Sequence, residues 1–295
     1  MIAKVEGLTK TFGGVRAVDG VSFTLEDRKI YGLLGRNGAG KTTLMQLMTA
    51  QQFPTSGTVE VFGASPYENR RVLRQICFVK ESQAYVRNAR IRDVLEFSSL
   101  VFPRWDRRYA EELLDAFRLP KERKMKQLSR GMTSAVGIVV GLASRAPLTI
   151  FDEPYLGLDA ASRGLFYDLL LKDYLEHPRT FVLSTHLIDE VNRLLEHILV
   201  IDRGRLILDD NADSVRGRAF SVSGPADRVA SFVSGRTIVR DERLGSLRTA
   251  VIPETPDERA RTRAAELGLE LKPVPMQELI VHLTQPSPAE GGKRP

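Results

Sequence analysis

The sequence predicts an α/β fold that carries a helical insert and is followed by a small C-terminal α+β domain. Over the first 210 or so residues, short β-branched runs alternate with helical patterns, which is typical of α/β proteins. Between residues 81 and 127 the apolar spacing becomes helical, and after residue 210 the pattern changes again. A chain of 295 residues has room for one large and one small domain.

Composition limits the classes of protein to which the chain can belong. With 42% hydrophobic and 27% charged residues, it has the make-up of a soluble globular protein. Its net charge of +6 permits an anionic partner without requiring nucleic acid. The single cysteine, Cys77, excludes a disulfide framework, and we interpret it as a small buried hydrophobe. Because no apolar run approaches the ~20 residues that cross a bilayer and no signal peptide is recognisable, we expect a cytoplasmic chain.

The large domain is predicted to span residues 1–210, with the helical insert at residues 81–130. Between positions 68 and 130 there are 16 basic and 9 acidic residues, which fits either a solvated helical surface or a surface for an anionic partner. The strand candidates of this domain lie at residues 21–25, 30–34, 58–61, 76–79, 148–152, 180–184 and 198–202.

The small domain is predicted to span residues 211–285 with a β-α-β-β-α-β order, which would fit a ferredoxin-like fold. Its strand candidates are residues 219–223, 236–240, 247–252 and 269–274, and its helix candidates are residues 226–234 and 257–267. Residues 286–295 are rich in proline, glycine and charge, so we expect a disordered tail.

A complete G-x-x-x-x-G-K-[ST] motif follows the strand candidate at residues 30–34. Glycines allow successive backbone N–H groups to point at phosphate oxygens, and the following helix N-terminus adds further donors. Lys41 would bridge the β- and γ-phosphates, and the Thr42 hydroxyl would bind Mg²⁺. A chance glycine-rich turn is the alternative. The residues predicted to contact the nucleotide are Gly35, Arg36, Asn37, Gly38, Ala39, Gly40, Lys41, Thr42 and Thr43.

Two carboxylates end the apolar strand candidate at residues 148–152. A buried strand that presents Asp152 and Glu153 at its carboxyl end is costly unless a cation or a reacting water uses them. Asp152 suits a role at Mg²⁺, and Glu153 suits the polarisation of an attacking water. A surface turn before Pro154 is the competing interpretation.

Further motifs lie along the chain in a fixed order. The segment Leu-Ser-Arg-Gly-Met spans residues 128–132, Gly-Leu-Asp ends at Asp159, and His186 follows an apolar strand. With the phosphate loop and the two carboxylates, they resemble the ATP-binding cassette of ABC transporters over residues 2–210. The resemblance implies a P-loop NTPase-type ABC ATPase domain with a mixed sheet and helical insert, similar to the drug and antibiotic efflux type.

The resemblance also implies roles for individual residues. Phe12 falls where the family stacks an aromatic ring on adenine, and His186 falls at the switch histidine that contacts the γ-phosphate. Glu153, His186 and Lys41 would be the catalytic residues. The residues that would meet the nucleotide bound by a second subunit are Ser129, Gly131 and Asp159.

Two segments depart from the family pattern. Glu81 stands where the family usually has the glutamine of the Q-loop, next to Mg²⁺, and the nearest glutamine is Gln83. We expect Glu81 to be the metal ligand, together with Thr42 and Asp152, with Gln83 as the alternative. In the signature, Arg130 replaces the usual first glycine and Met132 the usual glutamine.

These motifs predict an ATP-binding and ATP-hydrolysing subunit, dependent on Mg²⁺, that powers a separate transmembrane permease, an exporter rather than an importer. The resemblance implies a homodimer of cassettes, held through the permease at the inner face of the membrane, without direct contact to nucleic acid. One alternative is a soluble ABC-type ATPase acting on nucleic acid or ribosomes. The other is a nucleotide-gated regulator with little turnover, which Glu81 and the altered signature motivate.

Overall fold

The computed structural model describes residues 1–81 and 83–284, which form two compact units. The predicted disordered tail, residues 286–295, lies outside the described residues. The sequence predicts a boundary near residue 210, and the described chain also divides there, but a short earlier segment belongs to the second unit. The first unit comprises Met1–His186 and Leu194–Asp209, and the second comprises Leu187–Arg193 and the described residues from Asp210 onward.

Thirteen strands are present in the described residues. Most coincide with the apolar runs that predicted them. In chain order the strands are β1 Ala3–Phe12, β2 Val15–Leu25, β3 Ile30–Leu34, β4 Ser56–Val61, β5 Ile76–Val79, β6 Leu148–Asp152, β7 Thr180–Thr185, β8 His197–Asp202, β9 Arg205–Asn211, β10 Phe220–Pro225, β11 Arg240–Leu244, β12 Leu247–Ile252 and β13 Glu270–Pro273.

Helices join these strands, and polar side chains cap several of them. Among residues 1–81 and 83–284, no helix has the length and apolar character needed to cross a membrane. The helices are α1 Lys41–Met48, α2 Arg70–Leu73, α3 Ile91–Val101, α4 Arg107–Ala116, α5 Arg130–Ala143, α6 Ala160–Glu176, α7 Ile188–Val191, α8 Ala212–Arg216, α9 Ala226–Val233, α10 Glu258–Glu266 and α11 Met276–Leu283, with a 3-10 turn at Met125–Gln127.

The first unit is built on a six-stranded sheet of order β5-β6-β7-β3-β8-β9. The strands β5, β6, β7, β3 and β8 pair in parallel, and every residue of β3, β6 and β7 is buried. Full burial on both faces explains why these strands have continuous apolar sequences without alternation. The parallel arrangement brings the carboxyl ends of the three central strands to one edge.

A smaller antiparallel sheet of order β2-β1-β4 completes the first unit. The sequence analysis missed β1 and also β9. The register of β1 shifts several times against β2 and once against β4, so bulges interrupt its alternation of buried and exposed residues. Strand β9 alternates between half-buried and exposed residues only, which leaves it without a strong apolar signal.

The second unit contains a four-stranded antiparallel sheet of order β11-β12-β10-β13. Strands and helices from β10 to β13 follow the β-α-β-β-α-β order that the sequence predicts. Its core packs Phe220, Phe232 and Ile252 between the sheet and helices α9 and α10. Strand β11 begins where the predicted strand 236–240 ends, because this exposed and highly charged strand is specified by its pairing with β12 rather than by apolar residues.

Candidate functional site

One edge of the parallel sheet gathers the residues that the sequence analysis connects with phosphate chemistry. The phosphate loop follows β3, Glu153 follows β6 and His186 follows β7, and these strands are neighbours in the order β6-β7-β3. A cavity of about 480 Å³ opens there. It is lined by the loop residues 37–43 together with Glu81, Asp152, Glu153 and His186. A ligand site at the carboxyl ends of parallel strands is the general rule for open α/β sheets.

Glycines give the phosphate loop its shape. Gly40 has φ +109°, and a Cβ there would collide with the carbonyl oxygen of Ala17. Gly35 has φ +151°, and a Cβ there would collide with the carbonyl oxygen of Ile201. Both positions therefore require glycine for steric reasons as well as for the backbone angle. Helix α1 begins directly after this turn, so its first N–H groups face the cavity that the loop encloses.

Lys41 is buried beneath the loop with 6% of its surface exposed. Its ammonium donates hydrogen bonds to the carbonyl oxygens of Gly35 at 2.8 Å and Arg36 at 3.2 Å, and lies 3.9 Å from Oε1 of Glu153. Burial lowers the pKa of Lys41, while the charges of Glu153 and Asp152 act in the opposite direction. The loop thus holds a cation in a cavity that can accept anionic oxygens.

Asp152 and Thr42 form an oxygen pair on the other side of the cavity. Thr42 Oγ1 donates to Asp152 Oδ2 at 2.7 Å, and Ser184 Oγ donates to Asp152 Oδ1 at 3.0 Å. Only 3% of Asp152 is exposed. Carboxylate and hydroxyl oxygens are hard ligands, so the chemistry of this donor set fits Mg²⁺.

Glu153 belongs to a three-residue cluster that the sequence analysis did not foresee, in which Glu153 and Tyr155 are buried and His186 is exposed. The hydroxyl of Tyr155 donates to Glu153 Oε2, lies 2.9 Å from His186 Nδ1 and accepts the backbone N–H of His186 at 3.1 Å. His186 Nδ1 is itself 2.6 Å from Glu153 Oε2. Glu153 has φ +50°, a backbone conformation that costs a non-glycine residue roughly 1–2 kcal/mol.

Tyr155 is 3% exposed, and its pKa is raised by burial and by the hydrogen bond to Glu153. The phenol therefore keeps its proton and acts as the donor to the carboxylate. Nothing in the sequence identified it, because a tyrosine two residues after a glutamate matches no periodicity or metal-ligand spacing. The signal that could have found it is its place in the run Asp-Glu-Pro-Tyr, directly after the buried strand.

Of the two candidates for the Q-loop ligand, only Glu81 lines the phosphate-loop cavity. Gln83 lines a separate apolar cavity next to the helical insert. Arg130, at the start of α5, donates to Glu81 Oε1 at 2.8 Å. Two of the residues that depart from the family pattern, Glu81 and Arg130, thus lie side by side as an ion pair.

The residues implied to act across a dimer interface have local structural roles within the chain. Ser129 Oγ accepts the backbone N–H of Met132 at 3.2 Å and caps α5, and Asp159 Oδ1 accepts that of Ser162 at 2.7 Å and caps α6. A Cβ at Gly131 would collide with the carbonyl oxygen of Gly157, so the signature helix packs closely against the segment after Glu153.

Six predicted residues do not join the cavity lining. Two of them, Gly35 and Arg36, belong to the phosphate loop and accept hydrogen bonds from Lys41 through their carbonyl oxygens. Within the described residues, its lining does not include Ser129, Gly131 or Asp159. Phe12 also lies outside the lining; it is the last residue of β1, is 44% exposed and has the Lys10 ammonium 4.8 Å from its ring centroid. The structure therefore brings together loop residues 37–43, both carboxylates, Glu81 and His186, and leaves Phe12, Ser129, Gly131 and Asp159 apart.

This arrangement defines a P-loop nucleotide site, with a cation for phosphates, hard oxygen ligands and a buried carboxylate facing one cavity. Comparison with known proteins agrees. The family described as ABC transporter matches residues 18–156. The bacitracin transport ATP-binding protein BcrA of Bacillus licheniformis is 31% identical over 74% of this chain and 72% of its own length. The daunorubicin/doxorubicin resistance ATP-binding protein DrrA of Streptomyces peucetius is 32% identical over 90% of this chain and 84% of its own.

The fold agrees with solved structures as well. A dimeric bacterial ABC transporter cassette superposes with a TM-score of 0.65 at 23% identity, covering 72% of this chain and 99% of that one. The ATP-binding subunit of another ABC transporter gives a TM-score of 0.67 at 22% identity, over 73% of this chain and 92% of that chain. The chain belongs to the ABC transporter family of ATP-binding proteins. It is an ABC ATPase, and the predicted fold class is confirmed.

Proposed function

We propose that this protein is the ATP-hydrolysing subunit of an exporter, and that it drives a separate membrane permease. The observation that carries the proposal is the convergence of Lys41, the Thr42–Asp152 pair and the Glu153–His186 pair on one cavity. A binding protein without turnover needs the first two groups, whereas a buried carboxylate beside a histidine is useful for activating water. The roles below follow from the chemistry of each group.

The phosphate loop holds the nucleotide. Backbone N–H groups of the loop and of the first turn of α1 bind phosphate oxygens, and the Lys41 ammonium exchanges its bonds to Gly35 and Arg36 for bonds to phosphate. Phe12, the exposed last residue of β1, stacks on adenine. Because most of these contacts use the backbone, side-chain changes elsewhere in the cavity leave nucleotide affinity largely intact.

Thr42 and Asp152 would hold Mg²⁺, with Glu81 as a third oxygen ligand. When bound, the ion neutralises phosphate charge that develops during transfer. Ser184 fixes the orientation of the Asp152 carboxylate through its second oxygen, leaving the oxygen bonded to Thr42 on the cavity side. Glu153 orients and polarises the attacking water, and His186 donates a hydrogen bond toward the γ-phosphate.

Two copies of the chain form the working unit, a homodimer with two ATP sites. Support comes from Ser129, Gly131 and Asp159, which sit apart from the cavity of their own chain. The exposed Ser129 stands at the N-terminus of α5, a helix end that favours anions. Close packing of Gly131 against Gly157 would keep the signature and the segment after Glu153 in one rigid surface. A related cassette of the same fold has been solved as a dimer.

The helical insert carries the surface for the permease. An apolar cavity of about 460 Å³ lies beside it, lined in part by Phe78, Phe102 and Val140. Two further lining residues are largely exposed, Phe97 at 68% and Val86 at 75%. Exposed apolar groups next to a cavity are typical of protein interaction sites. Through this surface the protein would be held at the inner face of the membrane. Export as the direction follows the relatives named for bacitracin transport and daunorubicin resistance.

Turnover by the purified chain tests the catalytic part of the proposal. We expect phosphate release from ATP in the presence of Mg²⁺, and its loss in Lys41→Ala. Lys29→Ala is the matched control, because Lys29 forms a surface ion pair with Glu26 away from the site. If the wild-type chain binds ATP without releasing phosphate, the protein is a nucleotide-gated regulator instead.

Recovery of the permease tests the transport part. We expect a tagged chain to co-purify with an integral membrane protein from detergent-solubilised native membranes, and Phe97→Asp to reduce that recovery several-fold while ATP turnover of the isolated chain is unchanged. Val15→Asp is the control, since Val15 is equally exposed, at 69%, but lies on β2. Equal losses in both variants would contradict the docking surface.

A further inference from the structure

The three-residue cluster of Glu153, Tyr155 and His186 contains one member to which no function has been assigned. Tyr155 is buried, yet its hydroxyl contacts the Glu153 carboxylate, the His186 ring and the His186 backbone N–H, and the Thr185 side chain also forms a hydrogen bond with it. A tyrosine that only filled space would be as well served by phenylalanine. We propose that Tyr155 is a positioning residue for hydrolysis, which fixes the Glu153 carboxylate and the His186 ring relative to each other; this inference rests on the function proposed above.

The two oxygens of Glu153 have different partners. Oε2 accepts the Tyr155 hydroxyl and lies 2.6 Å from His186 Nδ1, whereas Oε1 is the oxygen closer to Lys41, at 3.9 Å. Tyr155 therefore holds one oxygen on the histidine side and leaves the other toward the phosphate-loop cavity. A carboxylate free to rotate would offer its oxygen to a water in only part of its conformations, so fixing it favours the reactive geometry.

The positions of the protons follow from the same contacts. Burial and the neighbouring carboxylate raise the pKa of Tyr155, so the phenol stays protonated and donates to Glu153. The short approach of His186 Nδ1 to the same carboxylate needs a proton as well, which assigns an N–H to Nδ1 by the hydrogen-bond network. Tyr155 and Glu153 together thus set the orientation of the histidine ring and hold a proton on Nδ1. The hydrogen bond proposed from His186 to the γ-phosphate must then come from the other ring nitrogen, Nε2, when the ring carries a second proton.

The backbone supports this role. Glu153 adopts a left-handed conformation, with its N–H donating to the carbonyl oxygen of Ser184 on β7 at 3.2 Å. The Tyr155 hydroxyl then binds the N–H of His186, two residues further along the same chain segment. The turn after β6 and the residue after β7 are thereby joined at two points. A strained backbone held by such bonds is typical of functional positions.

Tyr155→Phe is the central test, because it removes the hydroxyl and keeps the ring. We expect kcat for ATP hydrolysis to fall about tenfold, the order expected for a lost hydrogen bond to a charged group, with KM for ATP within about twofold. The matched control is Tyr174→Phe. Tyr174 also donates to a carboxylate, Glu196 Oε2 at 2.7 Å, but far from the cavity along α6, so its kcat should equal that of the wild type. In a Glu153→Gln background, Tyr155→Phe should cause no further loss.

A second readout does not depend on turnover. In ¹⁵N spectra of the histidine rings we expect Nδ1 of His186 to be protonated and its resonance to shift in Tyr155→Phe. His197, which bonds Asp209 through Nε2 at 2.6 Å, serves as an internal reference, and His186→Gln assigns the signal. If Tyr155→Phe leaves both kcat and the His186 resonance unchanged, the inference is overturned.

The same two readouts separate the inference from the proposed function. If the wild-type chain shows no turnover but the His186 resonance shifts in Tyr155→Phe, the proposed function fails and the positioning contact stands. If the wild-type chain turns over ATP, and Tyr155→Phe and Tyr174→Phe both raise KM by the same factor without lowering kcat, then Tyr155 has only a structural role. That result would overturn the inference.

Discussion

Buried charges occur at both ends of the central parallel sheet, and the two groups differ in how they are neutralised. At the carboxyl end lies the phosphate-end cluster of Lys41, Asp152 and Glu153. At the amino end lies a second group, in which Asp173 pairs with Arg145 and with Arg179, the latter at 2.5 Å. We call this the amino-end cluster; it also includes Asp106, which pairs with Arg145 at 3.1 Å.

In the amino-end cluster, two cations meet two carboxylates, and aromatic rings cover the cations. Arg145 lies over Tyr109 and Arg179 over Phe181, at 4.4 and 4.6 Å from the ring centroids. Arg179 also donates to the carbonyl oxygen of Leu142 at 3.0 Å. In the phosphate-end cluster, one ammonium faces two carboxylates across a cavity, so negative charge is in excess. The difference teaches that balanced buried charges hold the fold together, whereas the unbalanced ones, under the function proposed above, would be completed by a metal and a substrate.

The largest effect is expected from neutralising the unbalanced end. Glu153→Gln should retain ATP and lose 10²–10⁴-fold in turnover, roughly the contribution of a positioned acid–base group. Because the product state is no longer reached, the variant should accumulate as an ATP-held dimer in sedimentation experiments with Mg²⁺. Glu122→Gln, which alters an exposed carboxylate paired with Arg90, should behave like the wild type. A monomer at saturating ATP would contradict the dimeric mechanism.

The same change at the balanced end should affect stability rather than activity. Asp173 is 1% exposed, and Asp173→Asn leaves two buried cations short of their counter-charge. Breaking a buried pair in this way should lower the free energy of unfolding by about 3–5 kcal/mol, measured by urea denaturation. Glu112→Gln, which breaks the exposed pair with Arg108, should cost about 0–1 kcal/mol. If Asp173→Asn reduced kcat per folded molecule instead, the contrast between the two ends would be wrong.

A smaller effect is expected from Glu81, whose carboxylate lines the phosphate-end cavity and is paired with Arg130. Glu81→Ala should raise the Mg²⁺ concentration needed for half-maximal turnover by several-fold and lower the maximal rate, because a hard ligand is lost. Gln83→Ala should do little, since Gln83 lines the apolar cavity. Nucleotide affinity should stay close to wild type in both, as measured by fluorescent-nucleotide titration. Exchanged phenotypes would assign the ligand role to Gln83.

The smallest effect concerns Cys77, whose thiol senses the charge of Arg179 in the amino-end cluster. Its reactivity therefore reports whether that positive charge is neutralised by the carboxylates of the cluster. Burial raises the pKa of the Cys77 thiol to about 12, against the smaller opposing effects of a hydrogen bond with Ser144 and the charge of Arg179. Iodoacetamide should therefore leave the native protein essentially unlabelled at both pH 8 and pH 9, because Cys77 is buried and its thiolate is scarce at either pH. The unfolded chain should react at once. Rapid native labelling would show an uncompensated cation beside the thiol.

Much of this molecule was readable from sequence because its central strands are buried on both faces. Strands β3, β5 and β6 of the parallel sheet begin and end at the predicted residues, since mostly buried apolar runs define such strands. Strand β12 of the second unit also has the predicted bounds, although only its second half is buried. Strands β1 and β9, and the true position of β11, were not readable. Strand β1 is interrupted by bulges, β9 has only half-buried and exposed residues, and β11 is an exposed, charged strand. Each of these strands is specified by pairing with its neighbours rather than by its own apolar residues.

The sequence by itself determined the chemistry of the site: the phosphate loop, the paired carboxylates of Asp152 and Glu153, and a histidine after a strand. Residue type and local spacing are sufficient to predict these groups, because each one lies at or directly after the carboxyl end of a single strand. Tertiary structure alone decided that β7 lies between β6 and β3, that Arg130 neutralises Glu81 across 49 positions of sequence, and that Tyr155 holds Glu153 and His186. Contacts of this kind arise from strand order and backbone direction, which no local pattern encodes.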